Sequence, residues 1–163
     1  MVAITEHKEI FDLLTKVCDP EIPVLSVTDM GIVRDVEVNG KHVVVTITPT
    51  YSGCPAMDTI ATDIHNTLFQ AGYQPEIKSV LSPAWSSDWI TKQGRDKLEA
   101  YGIAPPLSAT GDKKALLGEE KLVKCTNCGS QNTRMVSQFG STACKALFQC
   151  NDCLEPFDYF KCI

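Results

Sequence analysis

Two cysteine pairs, Cys125-Thr-Asn-Cys128 and Cys150-Asn-Asp-Cys153, constrain this chain more than any other feature. Each C-x-x-C fits a tight turn that aims two sulfurs at one point, and 21 residues separate the two turns. Four thiolates delivered this way can surround one ion at about 2.3 Å in a tetrahedron, the ligand set of structural zinc. Gly129 follows the first knuckle and suits the positive φ such turns demand. The spacing predicts a zinc ribbon in which hairpins present the knuckles and Cys125, Cys128, Cys150 and Cys153 hold Zn2+. A single iron of the rubredoxin kind, a redox dithiol and plain packing are the competing uses of such cysteines.

Six of the eight cysteines fall in the last 39 residues, while Cys18 and Cys54 stand alone upstream. In a reduced cytosolic chain, clustered cysteines point to metal rather than to disulfides. Cys144, six residues before Cys150, could displace a knuckle ligand or receive a metal transiently; its plainer role is a small buried hydrophobe. Cys162, next to last, reads as a free terminal thiol.

The first residues lack a secretory n-region and h-region, and no apolar run approaches the ~18 residues of a membrane span. The expectation is a soluble cytoplasmic protein with no membrane partner. Net charge is −5, from 15 acidic against 10 basic side chains in residues 1–118 and five of each in 119–163. Neither part offers the basic surface that phosphate neutralisation requires, so nucleic acid is not an expected partner.

Apolar spacing at Ile10, Leu13, Leu14 and Val17 predicts a helix over 5–18, capped by Thr5 and ended by Asp19-Pro20. Two strand patterns meet at Asn39-Gly40, a hairpin signal. A turn on those two residues pairs Val38 with Lys41 and puts Val36, Val43, Val45 and Ile47 on one face. A second helix carries Met57, Ile60, Ala61, Ile64 and Leu68, with Pro55 at its first position and Gly72 past its end. A third strand is expected over 74–81 and a third helix over 90–101, closing at Gly102. Ribbon strands are expected near 134–139, 146–149 and 157–160. The fold class is α+β: a mixed α/β domain of about three strands with covering helices, then a β zinc ribbon. The expected domains are 1–103 and 121–163, joined by a linker over 104–120. A segment as small as the ribbon needs a staple beyond its own core.

Cys54 stands just before Pro55 at the mouth of the second helix. The helix N-terminus favours a thiolate there, giving a nucleophile or a soft-metal ligand with a lowered pKa and an accessible sulfur. A capping or packing cysteine is the plainer alternative. Cys18, at the end of an apolar helix face, should react sluggishly. No histidine shows triad spacing with Cys54, which leaves cysteine-hydrolase chemistry unsupported. Asp19 and Glu21 lie two apart in a stiff segment and could be acid/base groups, ligands or braces of the loop. Tyr51 and Ser52 would add hydrogen bonds beside Cys54, and Trp85 and Trp89 read as core or interface anchors.

Four stretches carry a family resemblance: Cys18-Asp-Pro-Glu-Ile-Pro23, Asp29-Met-Gly-Ile-Val33, Thr48-Pro-Thr-Tyr-Ser-Gly-Cys-Pro55, and Cys144-Lys-Ala-Leu-Phe-Gln-Cys150 with Glu155-Pro-Phe-Asp-Tyr-Phe160. Together they resemble the PaaD family, the D subunits encoded with the phenylacetyl-CoA epoxidase of bacterial aromatic degradation. The front half is similar to the SufT-like and cytosolic iron–sulfur targeting domains; the ribbon, with its Phe139-Gly-Ser-Thr142 lead-in, narrows the assignment.

The resemblance implies a non-catalytic accessory of phenylacetate degradation that helps mature an iron–sulfur or other metal centre. Its expected partners are the epoxidase components, the iron–sulfur reductase and the di-iron oxygenase. Cys54 is then the reactive cysteine, with Asp19 and Glu21 beside it in the motif. A transient iron–sulfur cluster and a homodimer are compatible with this reading. The alternatives are an integral electron-transfer or structural subunit of the monooxygenase, and a ribbon adaptor for nucleic acid. No ferredoxin cysteine pattern, flavin signature or paired Glu-x-x-His motif supports the first, and the charge disfavours the second.

Overall fold

A computed structural model describes residues 7–107, 117 and 123–161. The chain forms two compact units that divide between Trp85 and Ser86.

In the first unit, helix α1 (Lys8–Leu14) buries Ile10 and Leu14. It is shorter than its apolar spacing suggests, and Thr5 lies outside the described residues. The chain leaves the helix before Asp19-Pro20, where proline disfavours helical geometry in the residue ahead of it. Its backbone groups then find partners across a loop. Val27 N–H donates to Val17 O (2.9 Å), Asp19 N–H to Leu25 O (2.9 Å), and Cys18 bridges Ser26.

Strands β1 (Val33–Asn39) and β2 (His42–Ile47) are antiparallel, with Asn39 opposite His42 and Val36 opposite Val45. The turn residues are therefore Gly40 and Lys41, not Asn39 and Gly40. Gly40 alone takes positive φ (+62°), as a two-residue turn with glycine in first place requires. The slip is two residues, an even number, so the faces survive: Val36, Val43, Val45 and Ile47 are all buried together. Helix α2 (Ala56–Gln70) buries Ala56, Ile60, Ile64 and Leu68 and carries the chain to β3 (Gln74–Ser79), which pairs parallel with β2. The sheet order is β1-β2-β3. Trp85 is buried and its indole N–H donates to Met30 O at 2.9 Å, the anchoring role its sequence suggests.

The second unit holds helix α3 (Lys92–Tyr101) and the strands β4 (Ile103–Ala104), β5 (Thr133–Ser137), β6 (Lys145–Cys150) and β7 (Pro156–Phe160). Their order is β4-β7-β6-β5. α3 is expected in the front domain but belongs with the ribbon. Ile103 pairs with Asp158 and Ala104 with Tyr159, and the Arg95 guanidinium holds the carbonyls of Ser87 (2.7 Å) and Pro106. The division between the units thus precedes the Pro105-Pro106 punctuation. The linker expected over 104–120 falls mostly outside the described residues. Ala104, Val123, Ala146, Phe148, Phe157 and Tyr159 form the ribbon core together with Cys125 and Cys150. No helix among the described residues is long and apolar enough to cross a membrane.

Candidate functional site

Cys54 lies in the loop between β2 and α2, one residue before the helix N-cap Pro55. A turn sets it in place: its N–H donates to Tyr51 O (3.2 Å) and its carbonyl accepts from Met57 N–H (3.3 Å). The sulfur receives hydrogen bonds from the Ala56 N–H and the Thr50 hydroxyl. Asp19 and Glu21, from the loop after α1, come near enough for their charges to act on the same sulfur. The loop after α1 thus places its charge within electrostatic reach of the Cys54 loop.

The electrostatics overturn one expectation. Burial pushes the Cys54 thiol above its ordinary value of 9.0, and Asp19 and Glu21 push in the same direction. The helix N–H and Thr50 pull downward and are outweighed. The helix terminus alone suggests a thiolate; the half-buried site and its two carboxylates favour the neutral thiol. Thr50, four residues before Cys54, is the partner that sequence reasoning missed, with Tyr51 and Ser52 expected in its place. Asp19 is itself buried, and its Oδ1 accepts from the N–H groups of Glu21 (2.7 Å) and Ile22 (2.9 Å). It braces the loop and charges the site at once.

In the second unit the sulfurs of Cys125, Cys128, Cys150 and Cys153 lie within 4.8 Å of one another. Cys125 and Cys153 approach to 3.7 Å, and Cys128 and Cys150 to 3.6 Å. A tetrahedron with Zn–S bonds of about 2.3 Å has edges of about 3.8 Å, so the sulfurs are already spaced for that ion. The two knuckles are built alike. Cys125 N–H donates to Ser130 O and Cys150 N–H to Glu155 O, both at 2.9 Å. Gly129 (φ +76°) and Leu154 (φ +64°) occupy the same left-handed position after each second cysteine. The sequence signals only the glycine.

Charge explains why this set wants a cation. For Cys153, the Glu155 N–H lowers the thiol most; burial opposes it, and Asn127, Cys128 and Cys150 help bring it to about 6. For Cys128, the Ser130 backbone pulls downward, but Cys153, burial, Cys150 and Cys125 together push it up to about 12. The Cys153 thiolate forms readily, and Cys128 beside it is held neutral. A divalent ion removes that conflict by neutralising several thiolates at once. The residues therefore fit zinc in spacing and in charge. An outer layer locks the knuckles: Asp152 accepts from Ser130 Oγ and from Asn132 Nδ2 (2.7 Å), and Asn127 Nδ2 donates to Cys153 Sγ (3.6 Å). Cys144 lies outside the four-sulfur group, and Cys162 outside the described residues.

Comparison with known proteins gives two family matches. Residues 109–161 match the family described as PaaD zinc beta ribbon domain, and residues 7–72 match the iron–sulfur cluster assembly protein family. A relative from Escherichia coli (strain K12), the putative D subunit of 1,2-phenylacetyl-CoA epoxidase, is 47% identical over 163 residues, 99% of this chain and 96% of its own. An Fe-S protein maturation auxiliary factor from Porphyromonas gingivalis (strain ATCC BAA-308 / W83) is 34% identical over 90 residues, 53% of this chain and 85% of its own. Among solved structures, a domain of unknown function (DUF59) from Bacillus anthracis matches with TM-score 0.53 at 26% identity. That match covers 56% of this chain and 89% of that one.

Proposed function

The chain belongs to the family of phenylacetyl-CoA epoxidase D subunits, and on that premise we propose that it is a non-catalytic accessory of the epoxidase system in the cytoplasm. It assists the maturation of an iron–sulfur or other metal centre in the reductase or the di-iron oxygenase. Cys54, Asp19 and Glu21 form the working site, and the ribbon holds one structural zinc through Cys125, Cys128, Cys150 and Cys153.

What carries this reading is the negative charge that Asp19 and Glu21 bring to bear on the Cys54 sulfur. Carboxylates that disfavour a thiolate favour a cation in the same place. At rest the sulfur keeps its proton; an arriving iron ion or cluster displaces it and meets a soft donor flanked by negative charge. The Ala56 N–H and Thr50 hydroxyl then steady the thiolate. Support for metal handling also comes from the front-half match to iron–sulfur assembly proteins and from the relative whose name is a maturation factor. The ribbon's zinc supplies folding energy, and the ribbon cysteines take no part in delivery.

Growth on phenylacetate tests the proposal. A strain whose only copy carries Cys54→Ser should make the folded, zinc-bearing protein yet fail to grow on phenylacetate as sole carbon source. Wild-type growth of that strain would contradict it.

A further inference from the structure

We propose that Cys144 and Lys161 are a covalent modification site, where peroxide oxidises the thiol and the lysine amine closes a sulfur–nitrogen bond across the end of the β6–β7 pair. The site is independent of the zinc cluster. Cys144 and Cys150 flank opposite ends of β6, about 20 Å apart at strand rise.

The pairing follows from register. Lys145 lies opposite Phe160, so Cys144 lies opposite Lys161, and the Lys161 N–H donates to Cys144 O at 2.9 Å. Directly opposed residues of an antiparallel pair project from one face with Cβ atoms about 5 Å apart. Both are buried, at 6% and 4% exposure. A buried ammonium normally sits against a carboxylate, and Lys161 has none among the described residues. Its Nζ donates to Gln138 O and lies 4.1 Å from the Phe139 ring centroid. Besides the ring face, the Cys144 sulfur lies near enough to act on the amine electrostatically. The Thr142 hydroxyl touches the Cys144 sulfur at 3.1 Å and fixes its position.

Both partners suit this chemistry. Burial lowers the Lys161 pKa and so favours the neutral, nucleophilic amine. Burial also selects the oxidant, since bulky electrophiles are excluded and hydrogen peroxide is barely larger than water. Peroxide takes two electrons from the thiol sulfur, giving a sulfenic acid and one water. The Lys161 amine attacks that sulfur, hydroxide leaves, and the amine proton accompanies it as a second water. The product is an S–NH link. Two equivalents of a small thiol reverse it, releasing the amine and the cysteine and leaving a disulfide of the reductant.

Zinc-loaded full-length protein treated with limiting peroxide should lose about 2 Da, with tandem mass spectrometry joining the Cys144 and Lys161 peptides and a thiol restoring the mass. In Lys161→Met the link should vanish and the Cys144 sulfenic acid be trapped by dimedone once the oxidised protein is unfolded in its presence. The wild-type peptide map stands by itself should that variant fold poorly. A 2-Da loss that persists in Lys161→Met, as a disulfide to Cys162 would, or an unoxidised Cys144 in the treated wild-type protein, would overturn the proposal.

Discussion

Asp19 acts on Cys54 while holding its own loop closed. One oxygen of its buried carboxylate accepts the N–H groups of Glu21 and Ile22, and its charge raises the Cys54 thiol. A loop brace and an electrostatic partner are usually offered as competing roles for an acidic residue; here one carboxylate serves both. The two roles separate by substitution.

Asp19→Ala should cost on the order of 2 kcal/mol, because it strands two N–H groups that lose their acceptor. Asp19→Asn keeps an acceptor in place and should cost well under half as much. Denaturant midpoints of the two variants against the parent chain check this. Equal destabilisation by both would show that the carboxylate charge, not the turn, stabilises the loop.

Glu21→Gln should make Cys54 more reactive. It removes one of the two negative charges that raise the thiol, so the folded-state pKa falls and the thiolate fraction at a fixed pH rises. Alkylation rates with iodoacetamide, followed from pH 7 to 10, should shift to lower pH in the variant. The same raised pKa has a stability consequence. Burial of the neutral thiol leaves the fold's stability intact below the ordinary value of 9.0, and stability is lost as pH climbs from there through the raised folded value.

Cys150→Ser should lose the metal and unfold the ribbon while the first unit remains folded. Cys150 is both a member of the four-sulfur group and a core residue of the second unit, and metal binding in such small sites supplies on the order of 10 kcal/mol of folding energy. Zinc content and hydrogen exchange over residues 123–161 are the readouts. One zinc per chain with a protected ribbon would reject the ligand set.

Leu154→Gly should stabilise the second knuckle. Leu154 sits at φ +64° and is 67% exposed, so it carries the left-handed penalty with little packing return. Relief of roughly 1 kcal/mol, partly offset by the flexibility of glycine in the unfolded chain, should appear as slower zinc loss to a chelator.

These residues also mark what the sequence could say. The knuckles are legible because cysteine spacing is itself a statement about geometry, and the hairpin faces because a two-residue slip keeps parity. Gly40 stands one turn position earlier than its sequence suggests, since Asn39-Gly40 is the commoner pair and only the backbone reveals that Gly40 comes first. The place of α3 is hidden for a different reason: Arg95 reaches Ser87 and Pro106 through space, and Ile103 pairs with Asp158 across 55 positions of chain. The direction of the Cys54 shift is hidden too, because a helix terminus is local and visible, whereas desolvation and the two carboxylates arrive by tertiary folding. Leu154 leaves no signal because leucine does not announce a positive φ.

Iron in the client proteins tests the central claim most directly. The epoxidase reductase and oxygenase should be purified from cells carrying Cys54→Ser and from cells carrying the parent chain, and their iron and acid-labile sulfide measured per polypeptide. The maturation reading predicts normal amounts of both polypeptides with at least one clearly poor in iron or sulfide, beside a variant that keeps its own zinc. Fully loaded components from the Cys54→Ser cells would contradict it and leave Cys54 a structural residue.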